Sequence, residues 1–249
     1  MSRVVMGAII GLLSGLVGTG AGGLALRFFG RPSDRVFSII LGFSGGIMLS
    51  MVAFDLMPQA FRLASVGWGI AGLVGGALLI GLIDLLTPHV HFMSDDTESS
   101  RFVRASLLIG IGIAIHNLPE GLAIGAGYLA SERFGIGLAI MMMLHNAPEG
   151  MAMSAPMCRV DGCTWKVVGW AAAAGLPEGV GALIGLALGG VSPIVLALAL
   201  GFAAGAMLFI TCDELIPDAQ EFRVGHTGTW GIVAGVVTGI VLSTLLELH

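Results

Sequence analysis

Charge is what this sequence has least of. Of its 249 residues only 11% are Asp, Glu, Lys or Arg, less than half the roughly 25% of a soluble domain. Lysine occurs once, as Lys166, and tyrosine once, as Tyr128. So sparse a set of charges cannot coat a water-exposed surface, which excludes a soluble enzyme and a solvated disordered chain. The net charge of −5 is a poor match for a phosphate backbone and excludes nucleic acid as a partner. Cysteine is limited to Cys158, Cys163 and Cys212, with no CxxC spacing. The three read as small apolar residues at helix ends rather than as a disulfide framework or a zinc ribbon.

Apolar residues and glycine fill the gap. The chain is 56% hydrophobic, with 40 glycines and no G-X-Y period, and its mean hydropathy is +0.96. Glycine at this level suits helices that pack closely in lipid. The expected fold is an all-α membrane protein, a single polytopic domain spanning residues 1–249. A bilayer crossing needs about 20 apolar residues. Eight such segments can be cut, near 4–26, 36–57, 66–87, 104–129, 134–157, 164–189, 193–214 and 229–246. The first has Arg3 and small residues like a signal peptide, but its apolar stretch is long enough to span. Only the loop at 88–101 is long and polar, and it carries His89 and His91.

Basic residues set the expected orientation. With the N-terminus outside, the inner side holds Arg27, Arg31, Arg35, Arg101, Arg104, Arg159, Lys166 and Arg223. The outer side holds Arg3, Arg62 and Arg133. The bias puts both termini outside and the 88–101 loop in the cytoplasm, in a multi-pass protein of the plasma (inner) membrane.

An internal repeat runs beneath this pattern. Gly42-Phe43-Ser44-Gly45-Gly46-Ile47-Met48-Leu49 is echoed 159 residues later by Gly201-Phe202-Ala203-Ala204-Gly205-Ala206-Met207-Leu208. Pro58-Gln59-Ala60 and Pro217-Asp218-Ala219 keep the same offset, and Trp68-Gly69-Ile70 echoes Trp230-Gly231-Ile232. Helices 1–3 and 6–8 therefore read as two copies in a 3+2+3 arrangement. Equivalent members lie five spans apart, so the copies insert in opposite orientation, a signature of secondary transporters.

The chemistry sits on the middle spans. His116-Asn117-Leu118-Pro119-Glu120-Gly121 is followed by His145-Asn146-Ala147-Pro148-Glu149-Gly150, and then by Leu176-Pro177-Glu178-Gly179. At i and i+4, His116 shares a helix face with Glu120, and His145 with Glu149. Imidazole with carboxylate suits a borderline cation such as Zn2+, and the Asn oxygens suit harder ions. Ionised carboxylates brought together at membrane depth are very unfavourable without a cation between them. Pro119, Pro148 and Pro177 should each free a carbonyl, those of Ile115, Leu144 and Ala173, and break the helices at the site.

Two HNxPEG copies on successive helices, with a third Pro-Glu on the next, strongly resemble the ZIP (Zrt/Irt-like) family of divalent metal transporters, in its prokaryotic form. The resemblance covers the whole chain. It implies a binuclear site halfway across the membrane, with His116, Glu120, His145 and Glu149 at the first position. Asn117, Asn146 and Glu178 would form the second, bridged by Glu120 and Glu149. Met48 is a further candidate ligand through its thioether. The resemblance also implies that helices 1, 4, 5 and 6 carry the metal against a scaffold of 2, 3, 7 and 8, and that the protein is a homodimer.

The expected function is uptake of divalent transition-metal cations toward the cytosol by alternating access, with no enzymatic activity and no cofactor. Zinc leads as the transported ion, with Fe2+, Mn2+ and Cd2+ as further candidates. The alternatives are an intramembrane metallohydrolase and a metal-conducting channel. The hydrolase lacks HExxH, because the spacing here is His-x-x-x-Glu. Asp55, Asp213 and Glu214 stand near helix ends, where acids guard an entrance or belong to solvated turns. Their roles, and those of His89 and His91, stay open at the level of sequence.

Overall fold

The computed structural model describes residues 3–30, 32–86, 98–190, 192–221 and 225–246, and every element among them is helical. His89, His91 and Arg223, with most of the 88–101 loop, lie outside the described residues. Helix α1 covers Arg3–Phe29. The second crossing is α2 (Asp34–Ser50), a π-helical segment Met51–Leu56, and α3 (Met57–Leu63). Then come α4 (Val66–Leu86), α5 (Glu98–Ala130) and α6 (Glu132–Asp161). The sixth crossing is split into α7 (Trp165–Ala174) and α8 (Leu176–Gly189). The seventh is α9 (Pro193–Ile210), a π-helical segment Thr211–Leu215 and α10 (Ile216–Glu221), and the last is α11 (Thr227–Leu245).

Seven crossings are long and apolar enough to span a membrane by length and composition. The eighth, α6, is long but more polar, because it carries His145, Asn146, Glu149 and two prolines. With α5 at 33 residues and α6 at 30, both exceed the ~30 Å hydrocarbon core at 1.5 Å per residue. That overshoot is why helix ends fall outside the apolar runs seen in the sequence.

The crossings pack as two groups. In one, α1 lies against α6, α7 and α8, while α5 lies against α6 and α8; in the other, α2 packs on α11 and α4 on α9. The groups meet where α5 touches α9 and α6 touches α2. The first group holds crossings 1, 4, 5 and 6, and the second holds 2, 3, 7 and 8.

The two repeat copies match in detail. Ser33 caps α2 by accepting from the Val36 amide, and Ser192 caps α9 by accepting from Val195. Gly42 and Gly46 face α11, where a side chain would run into the backbone of Gly228 and Ile232. Gly201 and Gly205 face α4 in the same way, against Gly69 and Leu73. Small residues let these backbones touch, and dispersion between close helices replaces the hydrophobic effect that lipid cannot supply. Each copy then widens into a π-helical segment, an insertion not foreseen from the sequence. Trp68 and Trp230 open α4 and α11 with exposed rings, as expected of interfacial anchors.

One expectation about cysteine is corrected. Cys158 and Cys163 form a disulfide, with Cα atoms 4.5 Å apart. Helix α6 ends at Asp161, and Gly162 at φ 70° turns the chain back. Only glycine takes that φ readily, and the turn returns Cys163 to the end of the helix. Cys212 is free and exposed.

Close packing makes a direct prediction. Gly205→Ala forces α4 and α9 apart and should destabilise by about 1–3 kcal/mol. Thermal unfolding in detergent should show a fall of several degrees. Gly75→Ala, which meets nothing within 4 Å, should leave the transition in place or raise it slightly.

Candidate metal centre

The three motif helices converge because their glycines allow it. A Cβ on Gly121 would strike the Glu178 carbonyl, and one on Gly150 would strike the Thr19 carbonyl. The Gly of each Pro-Glu-Gly core therefore sets how closely α5 meets α8 and α6 meets α1. Helix α1 closes the site with a glycine face of its own. A Cβ on Gly15 would lie 2.6 Å from Glu178 Oε2, and one on Gly18 would lie 2.7 Å from the Asn146 Cβ. The sequence reading missed this face, although Gly7, Gly11, Gly15, Gly18 and Gly22 recur at helical spacing along it.

The prolines act differently from expectation. Helices α5 and α6 run unbroken through Pro119 and Pro148. Only the sixth crossing breaks, at Gly175 just before Pro177. Its preceding glycine is what differs: Gly175 approaches Gly15 so closely that no side chain fits. The carbonyl left without a helical partner is that of Ala174, and Asn117 Nδ2 donates to it at 2.8 Å. That bond turns Asn117 Oδ1 the other way.

At the centre lie Glu120, His145 and Glu149. Their ligand atoms all fall within 4.8 Å of one another, and all three residues are buried. His145 Nε2 is 3.0 Å from Glu120 Oε1. Glu178 is adjacent through Asn146, whose Nδ2 donates to Glu178 Oε2 at 2.8 Å. Glu120, Asn117, Asn146 and Glu178 are 0% exposed.

The oxygens of this group are badly under-satisfied. Both Glu149 oxygens, Glu120 Oε2, Glu178 Oε1, Asn117 Oδ1 and Asn146 Oδ1 are buried without a hydrogen-bond partner among the described residues. Unpaired buried polar atoms are rare, because each carries its full desolvation penalty. Six acceptor oxygens without donors among the described residues, three of them on Glu120 and Glu149 of the clustered group, are the kind of atoms that a cation could satisfy.

His116 departs from its expected place. It stands outside the Glu120–His145–Glu149 group, and its Nε2 is 3.3 Å from Glu214 Oε1 on the π-helical segment after α9. Glu214 is thus a site neighbour that the sequence did not assign, since nothing in the local spacing links residues 98 positions apart. Its side chain is 45% exposed, against 7% for His116. Met48 is wholly buried in the core, and its sulfur accepts from Thr211 Oγ1 at 3.6 Å. Asp55 is also wholly buried and accepts from the Ser243 hydroxyl.

Comparison with known proteins identifies the family. A family model described as ZIP Zinc transporter matches residues 87–247. A protein of Chlorobium limicola named zinc transporter ZupT is 35% identical, with both chains covered in full. A Corynebacterium glutamicum protein of the same name is 34% identical over 94% of this chain and 96% of its own. One from Escherichia fergusonii is 32% identical over 86% of this chain and 88% of its own. With a family model over more than half its length and relatives alike from end to end, this multi-pass chain belongs to the ZIP family of transporters and is not an enzyme.

Proposed function

We propose that the protein carries zinc and similar divalent cations across the membrane through a mid-membrane site on α5, α6 and α8. The observation that carries this reading is the buried group of Glu120, His145 and Glu149 with its unpartnered oxygens. The ZupT name of its relatives makes zinc the first candidate. Glu120 and Glu149 bridge two positions. The first takes nitrogen from His145, with His116 joining once it leaves Glu214. The second is built of oxygens from Asn117, Asn146 and Glu178. Met48 offers a thioether from the scaffold side, at a sulfur that now accepts from Thr211. A cation there sheds water into fixed ligands, and carrier and scaffold groups move against each other to change the exposed face.

A hydrolase would need a Glu free to act as general base beside an open metal position. Both motif Glu side chains belong instead to the ligand group. In proteoliposomes, Glu120→Ala and Glu149→Ala should each lower zinc flux at least about 100-fold while inserting normally, since removing even a supporting partner of a metal ligand costs 10–100-fold. Wild-type flux in a well-folded Glu149→Ala protein contradicts the assignment. Saturable flux is expected of a carrier, and a linear rise with concentration would mark a channel.

The two positions should differ in selectivity. Glu178→Gln keeps the Asn146 hydrogen bond but removes the one charge that belongs to the oxygen-only position alone. Zinc uptake should fall only a few-fold, whereas Mn2+ and Fe2+ should compete less well, because harder ions depend more on oxygen ligands. Equal loss for all three metals would reverse that ranking.

Orientation follows from the basic residues, with both termini extracytoplasmic. Arg3 pairs with Glu132 at 2.7 Å and Arg133 donates to the Leu246 carbonyl, so three outer ends share one face. On the other face Arg27 donates to the Cys163 carbonyl and lies over the Trp165 ring. The Cys158–Cys163 disulfide pulls the other way, since the cytoplasm keeps most thiols reduced. Labelling with a membrane-impermeant thiol reagent, in a cysteine-free background, decides between them. Ser131→Cys should react from outside and Thr164→Cys only after permeabilisation, and the reverse pattern inverts the orientation.

A further inference from the structure

The repeat offset that aligns Met48 with Met207 also aligns Asp55 with Glu214. Both acids stand on π-helical segments, Met51–Leu56 and Thr211–Leu215, which overlap under that offset but for one residue at the start. Each copy thus carries an acid at the equivalent place on its π-helical segment. π-Helical turns of this kind occur often at functional sites. Because the copies are inverted, the two acids sit toward opposite faces of the membrane.

The motif helices obey the same relation. Helix α5 packs on α9 and α6 packs on α2. The exchange that carries α9 into α2 therefore carries α5 into α6, His116 into His145, and Glu120 into Glu149. The contacts of the two halves, however, differ. Glu214 is half exposed and reaches His116, whereas Asp55 is fully buried and accepts from Ser243 on α11. His145 pairs with Glu120, while Glu149 has neither oxygen hydrogen-bonded among the described residues. The Ser44 hydroxyl donates to the His145 carbonyl at 3.0 Å, which places His145 against the very helix that carries Asp55. Of two acids at equivalent places in the repeat, one is thus half exposed and the other buried.

Resting on the carrier reading above, we propose that Asp55 is the cation-contacting carboxylate of the opposite access state, the counterpart of Glu214 in this one. When the Asp55 face opens, Asp55 leaves Ser243 and reaches His145 and the cation behind it. Glu214 withdraws from His116, which then pairs with Glu149. Each acid meets the cation only from its own face, so the site always has one carboxylate on the open side and one shut away. The exchange involves no net change in the number of carboxylates near the cation, which keeps the two states close in energy. Two states so balanced are what a carrier needs to alternate.

The test is the KM for zinc measured separately from each face, in right-side-out and inside-out membrane vesicles. Asp55→Asn should raise KM about tenfold from one face only, the size of a lost hydrogen bond to a charged group. Glu214→Gln should do the same from the other face only, and Asp55→Glu should stay near wild type. If Asp55→Asn is not recovered in the membrane, Ser243→Ala serves instead. Removing the hydroxyl that holds the closed state should raise KM from the Glu214 face about threefold, because fewer molecules then present that face. Equal effects on both faces, or no effect from Ser243→Ala, overturn the inference. Those results, obtained with a wild-type protein that moves zinc, leave the carrier reading standing. A wild-type protein that moves no zinc removes both.

Discussion

Everything in this molecule is arranged around carboxylates that cannot be left alone. Glu120, Glu149 and Glu178 lie buried at the meeting of four crossings, where ionised acids are among the most expensive groups to hold. Among the described residues they receive few donors, His145, the Asn146 amide and the Ser14 hydroxyl. A cation that supplies positive charge and accepts their lone pairs turns this liability into affinity.

Glycine is what lets the acids meet. The motif residue Gly121 allows the α8 backbone at Glu178 to lie directly against α5, and Gly15 admits the Glu178 side chain beside α1. In the scaffold, Gly42, Gly46, Gly201 and Gly205 perform the same service for two helix pairs. The two groups are each held by dense backbone contact but meet across fewer helices. Packing is therefore densest within each group and sparser between them, which is the arrangement that the proposed relative movement would use.

Much of this was legible in the sequence, because hydropathy and repeated motifs are local signals. The apolar runs and the HNxPEG faces follow from residues a few positions apart, and the repeat from matching two such local patterns 159 residues apart. Long-range pairings were not legible. Nothing near His116 announces Glu214, and nothing near Asp55 announces Ser243, because these partners are chosen by how crossings pack. The prolines misled for a related reason: Pro119 and Pro148 look like Pro177, yet only Pro177 has, two residues before it, a glycine pressed against another backbone glycine. The cysteines looked unrelated because the turn at Gly162, rather than a motif spacing, brings Cys158 and Cys163 together. The π-helical segments leave no mark in composition and emerge only when the two copies are seen folded.

The central claim is that Glu120, His145 and Glu149 hold the transported cation. X-ray absorption at the zinc edge of the purified, zinc-loaded protein tests it most directly. Imidazole nitrogen and carboxylate oxygen about 2.0–2.2 Å from the metal are predicted, with that signal lost in Glu149→Ala and the protein still folded. A thiolate sulfur shell near 2.3 Å, or a spectrum that Glu149→Ala leaves unchanged, contradicts the account.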